Sequence, residues 1–385
     1  MPALVYDREK YTWETSRGLM IEDVSSPELD VGADYRDASK VLIKPMYTGF
    51  CGSDRGIWYR RAFKDMIYGS LDQEHKDVRV IGHEVLGRIV EVGKQVTRDY
   101  GLRPGDVVTT ESHIICGVCY QCRIGDTHVC ADDKIIGIST DGCFAPLVKL
   151  PASSLWPTNL KAIRPEVAAI QEPFGNAVHA CTKVNVRGKS VAIIGCGAIG
   201  LFAIVIARAL GAHKIIAIEP LERNRRMAER LGADVTMAPS VDAQGFIADV
   251  GLRAEVRKLT DGNGADVALE MSGANAAVNN AIACVRRGGD VILFGLKAGP
   301  AVIEHFDRLI VDGISLHSVI GRRIWETWHI TRNLLESRDP NIHDLVWEVI
   351  LNNGEGTVID FGSFETNSFE NAMNEHPKVI FKFEE

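Results

Sequence analysis

Four cysteines stand close together: Cys116, Cys119, Cys122 and Cys130 follow C-x2-C-x2-C-x7-C. Four thiolates at that spacing suit a closed tetrahedral zinc site. Such a site leaves no position for a substrate, so this metal is expected to staple a lobe, about residues 112–131, rather than to catalyse. A redox pair has no need of four cysteines. A two-cluster ferredoxin calls for further cysteines and a proline after the fourth, and Ala131 stands there instead. A second set of candidate ligands is dispersed: Cys51 in Cys51-Gly52-Ser53-Asp54, His83 and Glu84 in Gly82-His83-Glu84, and Glu172 before Pro173. One thiolate, one imidazole and one or two carboxylates suit a catalytic zinc that keeps a position open. Nothing local in the sequence brings these segments together. Taken singly they also read as a buried cysteine, a core histidine and surface carboxylates.

A third constellation is Gly195-Cys196-Gly197-Ala198-Ile199-Gly200, which fits G-x-G-x-x-G. Among 36 glycines some matches arise by chance, but this one follows an apolar strand pattern and opens a helical one. The first glycine allows the tight turn, the second admits a pyrophosphate, and the third lets helix pack on strand. The helix start, with Ala198 and Ile199, offers free N–H groups to the phosphates. Glu219 falls at the end of the next strand pattern, where an acidic side chain binds a ribose 2′-hydroxyl. A carboxylate there repels a 2′-phosphate, which favours NAD over NADP. Arg223, Arg225 and Arg226 just beyond it pull the other way. Glu219 as a plain strand-end residue is the bland alternative.

These residues need two kinds of scaffold. Up to about residue 170, short β-branched runs at 41–43, 89–92, 107–110 and 144–150 are separated by turn residues, the pattern of an antiparallel region. From residue 190 the pattern alternates. Strands are expected at 190–194, 214–218, 267–271 and 290–294, with helices at 201–210, 223–231 and 274–285 between them. Such alternation implies a doubly wound parallel sheet. After residue 320 the text is mixed and ends on a strand pattern at 379–383.

Length and composition bound the rest. At 385 residues the chain has room for two or three domains. Hydrophobic residues at 46% and charged residues at 24% exclude wholesale disorder. A net charge of −8 argues against a nucleic-acid or anionic-membrane partner. Residues 190–207 carry no charge over a near-transmembrane length, but three glycines break the run, so a buried strand and helix fit better. The first ten residues show no basic region followed by an apolar run, so no secretory signal and a cytoplasmic location are expected. In a reducing compartment clustered cysteines read as metal ligands, not disulfides. Cys143, Cys181 and Cys284 read as small core residues.

On these segments the chain resembles the zinc-dependent medium-chain dehydrogenases over nearly its full length. Cys51–Asp54, Gly82–Glu84, the cysteine lobe, the glycine turn and the strand at 267–273 carry the likeness. Two stretches, 171–179 and 321–328, are most similar to the L-threonine 3-dehydrogenase branch, with polyol and sugar dehydrogenases next. The resemblance implies an α/β fold: a Rossmann doubly wound parallel sheet, 174–321, inserted in a GroES-like β-rich catalytic domain, 1–173 and 322–385. It implies that Cys51, His83 and Glu84 hold a catalytic zinc, with Glu172 an additional or exchangeable ligand. One catalytic and one structural zinc per chain follow, with NAD before NADP. A homotetramer is implied, a homodimer being the alternative.

The implied chemistry is oxidation of a small secondary alcohol to a ketone. Zinc lowers the alcohol pKa, Ser53 passes the proton towards the cofactor ribose, and the nicotinamide takes the hydride. L-threonine or a related hydroxy compound is the expected substrate. A polyol, cyclitol or sugar is the alternative, and a non-catalytic nucleotide sensor is a further one. Arg322 is expected near the cofactor or a domain boundary, or else in an ordinary ion pair. There are departures from the threonine branch. No histidine follows Asp54, where Arg55-Gly56 stands, and the Asp54-Arg55 pair is similar to that of archaeal sugar dehydrogenases. Residues 55–80 read as a long loop whose Trp58, Tyr59, Arg60, Arg61, Phe63 and Lys64 either line a pocket for a larger or anionic substrate or dock on the core.

Overall fold

The computed structural model describes residues 1–30, 35–240, 245–297, 299–338 and 341–384. The chain divides into two compact units, Met1–Pro173 with Leu351–Glu385, and Phe174–Ile350.

The first unit is β-rich. Its main sheet runs Leu155–Pro157, Val107–Thr110, Glu84–Val92, Lys40–Phe50, Val379–Lys382, Val358–Asp360, with Val148–Pro151 also paired to Lys40–Phe50. All pairings are antiparallel except that of Val358–Asp360 with Val379–Lys382. A smaller sheet joins Pro2–Asp7 to Met20–Asp23 and Val78–Val80. The β-branched runs face one core of Val41, Ile43, Val85, Ile89, Val108 and Val148. A second core is aromatic: Phe50, Phe144, Phe369 and Phe381 meet with ring centroids 4.8–5.9 Å apart. The run at 144–150 becomes a strand only at Val148–Pro151, while Phe144 is spent as a core ring.

Residues 55–80 depart from the loop expectation. They are largely helical, as Gly52–Trp58 and Lys64–Glu74. Trp58 is buried against Phe50 and Phe369, and Tyr59, Phe63 and Tyr68 pack on the same core. The Arg60 guanidinium lies 4.6 Å over Tyr6 and 5.5 Å over Trp13, and donates to the carbonyls of Ile57 and Gly18. Lys64 pairs with Glu14. The aromatics dock on the core, the second of the two readings.

The second unit is a six-stranded sheet ordered Val235–Met237, Lys214–Ile218, Ser190–Ile194, Ala265–Glu270, Val285–Leu293, Ser315–Ser318. Every pairing is parallel. Counted along the chain this is the 3-2-1-4-5-6 order of a doubly wound sheet, which binds ligands at the strand ends where the order reverses. That point lies between Ser190–Ile194 and Ala265–Glu270. The uncharged stretch at 190–207 resolves into the Ser190–Ile194 strand and the helix Ala198–Ala209, both buried. No helix among the described residues is long and apolar enough to cross a membrane. Residues 322–350 group with this unit, whereas the sequence reading assigned them to the first. The reason is local packing. Arg322 is buried and donates to Asn176 Oδ1 at 2.8 Å, and the turn Val346–Ile350 lies against the helices Ala198–Ala209 and Glu222–Arg230.

Candidate active site

Sheet register brings the dispersed ligands together. Lys40–Phe50 pairs antiparallel with Glu84–Val92, with Gly49 opposite Glu84. Cys51 follows the end of one strand, and His83 and Glu84 stand at the start of the other, so the three meet. One donor atom from each of Cys51, His83 and Glu84 lies within 4.8 Å of the others. Two glycines make room. A Cβ on Gly49 would sit 1.8 Å from Glu84 Oε2, and one on Gly82 would sit 2.5 Å from the Phe144 ring. Gly82 also has φ +95°, a conformation that side chains resist.

The surrounding groups hold this trio in place. The Cys51 N–H donates to Asp54 Oδ2 at 2.9 Å, and Asp54 Oδ1 lies 3.4 Å from His83 Nδ1. Burial pulls the His83 pKa down, but the charges of Asp54 and Cys51 outweigh it and raise the value. Burial pushes the Glu84 carboxyl up, against the pull of Lys378 and with the help of Glu172. Ser53 Oγ lies 3.3 Å from His83 Nε2. Glu172 is buried in the first turn of Gln171–Thr182 and is near enough for its charge to act on Glu84. It does not join the 4.8 Å group. Its Oε1 instead accepts a 2.7 Å hydrogen bond from Ser112 Oγ.

Two partners of the site's carboxylates escaped sequence reading. Lys378, 3% exposed, donates to Glu84 Oε1 at 2.6 Å and to the Phe50 carbonyl at 3.0 Å. Ser112 is the other. Their only sequence signal is a lysine opening an apolar strand run and a hydroxyl between Glu111 and His113. Three donors of mixed hardness around one point, with a cation and two carboxylates beside them, fit a zinc with an exchangeable position.

The four cysteines of the lobe also converge, again within 4.8 Å. Cys130 Sγ is 3.5 Å from Cys116 Sγ and 3.9 Å from Cys119 Sγ. A tetrahedron of sulfurs about 2.3 Å from zinc has edges of about 3.8 Å, so these spacings fit the metal and not a disulfide. All nine cysteines are free thiols. Without a cation the four cannot all ionise. Backbone N–H groups of Ala131 and Cys122 pull Cys119 down to about 6, whereas burial and its thiol neighbours push Cys122 up to about 12. Cys143, Cys181 and Cys284 are buried, with thiols pushed up to about 12, as core residues should be.

In the second unit the glycine turn has the geometry its motif implies. Gly195 has φ +93°, and a Cβ there would sit 2.6 Å from the Ser272 Cβ. A Cβ on Gly200 would lie 1.9 Å from the Gly195 carbonyl, so only glycine lets the helix sit this close. A Cβ on Gly197 would meet nothing within 4 Å among the described residues, which leaves the approach open. Gly197 caps the helix Ala198–Ala209, with Ala198 and Ile199 half-buried in its first turn. Glu219 is buried at the adjacent strand end, where Oε2 accepts from the Cys196 N–H at 2.7 Å and Oε1 from the Leu221 N–H at 3.0 Å. Two of the nearby arginines are engaged: Arg225 donates to the Glu219 and Pro220 carbonyls, and Arg226 pairs with Glu222.

Residues 37–160 match the alcohol dehydrogenase GroES-like domain family, and residues 198–337 the zinc-binding dehydrogenase family. The chain is 39% identical over 307 residues to an L-threonine 3-dehydrogenase from Pyrococcus horikoshii, covering 80% of this chain and 83% of the relative. An L-threonine 3-dehydrogenase from Bacillus subtilis is 34% identical over 325 residues, with 83% and 85% covered. Among solved structures, a candidate zinc-binding dehydrogenase from Sinorhizobium meliloti 1021, bound to NADP, matches with TM-score 0.74 and 25% identity over 99% and 98% of the two chains. The chain belongs to the zinc-dependent medium-chain dehydrogenases, enzymes that use a nicotinamide nucleotide to act on the CH–OH group of small alcohols.

Proposed function

We propose that this chain oxidises L-threonine, or a closely related hydroxy compound, at its secondary alcohol with NAD as hydride acceptor. The observation that carries the reading is the convergence of Cys51, His83 and Glu84 in a chain 39% identical to a threonine dehydrogenase. In this reading those three residues hold a catalytic zinc, Glu172 is an exchangeable ligand, and the four-cysteine lobe holds a second, structural zinc. When bound, the zinc supplies Lewis acidity and the nicotinamide supplies the hydride acceptor. Ser53 takes the alcohol proton and passes it outward, Asp54 fixes the His83 ring, and Lys378 fixes Glu84. Gly195, Gly197 and Gly200, with the N–H groups of Ala198 and Ile199, hold the pyrophosphate, and Glu219 takes the ribose. NAD is the preferred form because Glu219 presents a carboxylate, and Arg225 and Arg226 beside it are already engaged. Arg322 braces the segment on the cofactor side of the second unit through Asn176. The assembly is a homotetramer, with a homodimer as the alternative, and the compartment is the cytoplasm.

A polyol, cyclitol or sugar remains the second reading, favoured by the Asp54-Arg55 pair. A substrate panel followed by absorbance of the reduced cofactor, with NAD and NADP side by side, tests both. Turnover of L-threonine with NAD supports the reading. Turnover of polyols or sugars with none of L-threonine overturns it.

A further inference from the structure

A buried carboxylate, Glu270, stands at the switch point of the parallel sheet. It ends the strand Ala265–Glu270 and is 0% exposed. Its Oε1 accepts from the N–H groups of Ser272 and Gly273 at 2.9 and 3.1 Å, and from the Ser272 hydroxyl at 2.8 Å. Its Oε2 accepts from Lys297 Nζ at 2.9 Å. The first three donors come from the turn that follows the glutamate's own strand. The ammonium comes from the loop that follows the neighbouring strand, Val285–Leu293. The Lys297 side chain is itself only 12% exposed, so little water competes for the pair, and a charge-assisted hydrogen bond is strong there.

The two loops are pressed together. A Cβ on Gly273 would sit 2.7 Å from the Leu296 carbonyl, and one on Gly295 would sit 2.3 Å from the Gly273 nitrogen. Ser272 in turn lies against Gly195. The glycine turn, the turn 271–273 and the loop 294–297 thus form one rim at the carboxyl ends of the strands. The base of the last loop is pinned by backbone, since the Phe294 and Gly295 N–H groups both donate to the Glu270 carbonyl at 3.1 Å. Its far end is held by the ammonium of Lys297.

A sheet of this strand order is two mononucleotide-binding halves side by side. The glycine turn and Glu219 follow the first two strands and belong to the first half, whereas Glu270, Ser272 and Lys297 belong to the second. With the pyrophosphate and the adenosine ribose assigned to the first half, the second half is left for the nicotinamide riboside.

We propose that Lys297 is a positioning residue for the nicotinamide half of the cofactor: its ion pair with Glu270 fixes the loop 294–297 against the turn 271–273, and these two form the seat of that half. The inference rests on the reading of the glycine turn as the pyrophosphate site. Without Lys297 the turn 271–273 keeps three donors to Glu270 and stands, so the first half of the cofactor keeps its site. The loop 294–297 loses the tie at its far end, and the second half loses its seat.

The test compares two ligands on the full-length protein. One is NADH, followed by the fluorescence of its reduced ring. The other is ADP, which carries the first half and lacks the second, followed by calorimetry. Lys297→Met is expected to weaken NADH about tenfold, equivalent to about 1.4 kcal/mol, and to leave ADP unchanged. Lys297→Arg, which keeps the cation, should bind NADH as the wild type does.

Unaltered NADH binding in Lys297→Met overturns the proposal. So does a loss shared equally with ADP, which would make the pair a general support of the sheet end. So does a Lys297→Arg variant as weak as Lys297→Met. Wild-type protein that binds neither ligand overturns the dinucleotide reading itself, and the positioning role with it.

Discussion

Lys378 Nζ lies 2.6 Å from Glu84 Oε1, and both side chains are shut away from water. Breaking a buried ion pair by removing one partner leaves an uncompensated charge, at a cost of about 3–5 kcal/mol. Lys378→Met should therefore destabilise the metal-free protein by about that amount in urea unfolding. With zinc loaded the loss should be smaller, because the cation beside Glu84 then stands in for the ammonium. Equal losses with and without zinc would mean that Glu84 does not face the metal.

The lobe and the trio are separate clusters. Cys122→Ser should cost the lobe its metal and lower the melting temperature, while the metal that depends on Cys51 is retained in a metal count. Loss of both metals together would show that the lobe metal is needed to build the catalytic site.

In the proposed reading Glu219 takes the ribose, and its carboxylate accepts from the N–H groups of Cys196, inside the glycine turn, and Leu221. Glu219→Ala removes the repulsion against a 2′-phosphate and two charge-assisted hydrogen bonds, about 1.5–3 kcal/mol each. The ratio of kcat/KM for NADP over NAD should rise at least about tenfold, and the KM for NAD should rise too, because the turn loses a brace. A mutant that still rejects NADP would show that another residue reads the ribose.

Asp37 carries an acid-side prediction. Burial pushes its carboxyl up, but the Asp30 N–H and the ammonium groups of Lys40 and Lys149 outweigh burial and hold it at about 2, against an ordinary 3.8. A carboxylate depressed in the folded state contributes stability above its unfolded pKa and loses it as the pH falls through the folded one. The stability gap between wild type and Asp37→Asn, read by urea unfolding, should be full above pH 3.8 and close as the pH falls to about 2. A gap independent of pH would assign the effect to shape instead of charge.

Local features of the sequence were the most legible. The cysteine spacing and the glycine turn each lie within a few consecutive residues, and the parallel strands announce themselves as short apolar runs between helical ones. The trio was not legible from residues alone, because Cys51 and His83 meet through an antiparallel register that pairs Gly49 with Glu84. Only the family likeness joined them. Lys378 lies 294 positions from Glu84 in sequence and reads there as one more surface lysine. Residues 55–80 read as loop because Gly56, Gly69 and interspersed charges blur the helical period. Left-handed backbone at Phe63 and His75, φ 70° and 54°, then brackets a helix no cap residue signals. The return of the chain to the first unit at Leu351 is hidden for a similar reason, since Arg322 reads as a residue near the cofactor or a domain boundary, or in an ordinary ion pair, and nothing in the sequence shows that it is buried on Asn176.

Counting zinc per chain, in wild type and in Cys51→Ala, tests the two-centre arrangement most directly. The expected result is two ions in the wild type and one in the variant, with the lobe ion retained. One ion in both would contradict a catalytic metal at Cys51, His83 and Glu84.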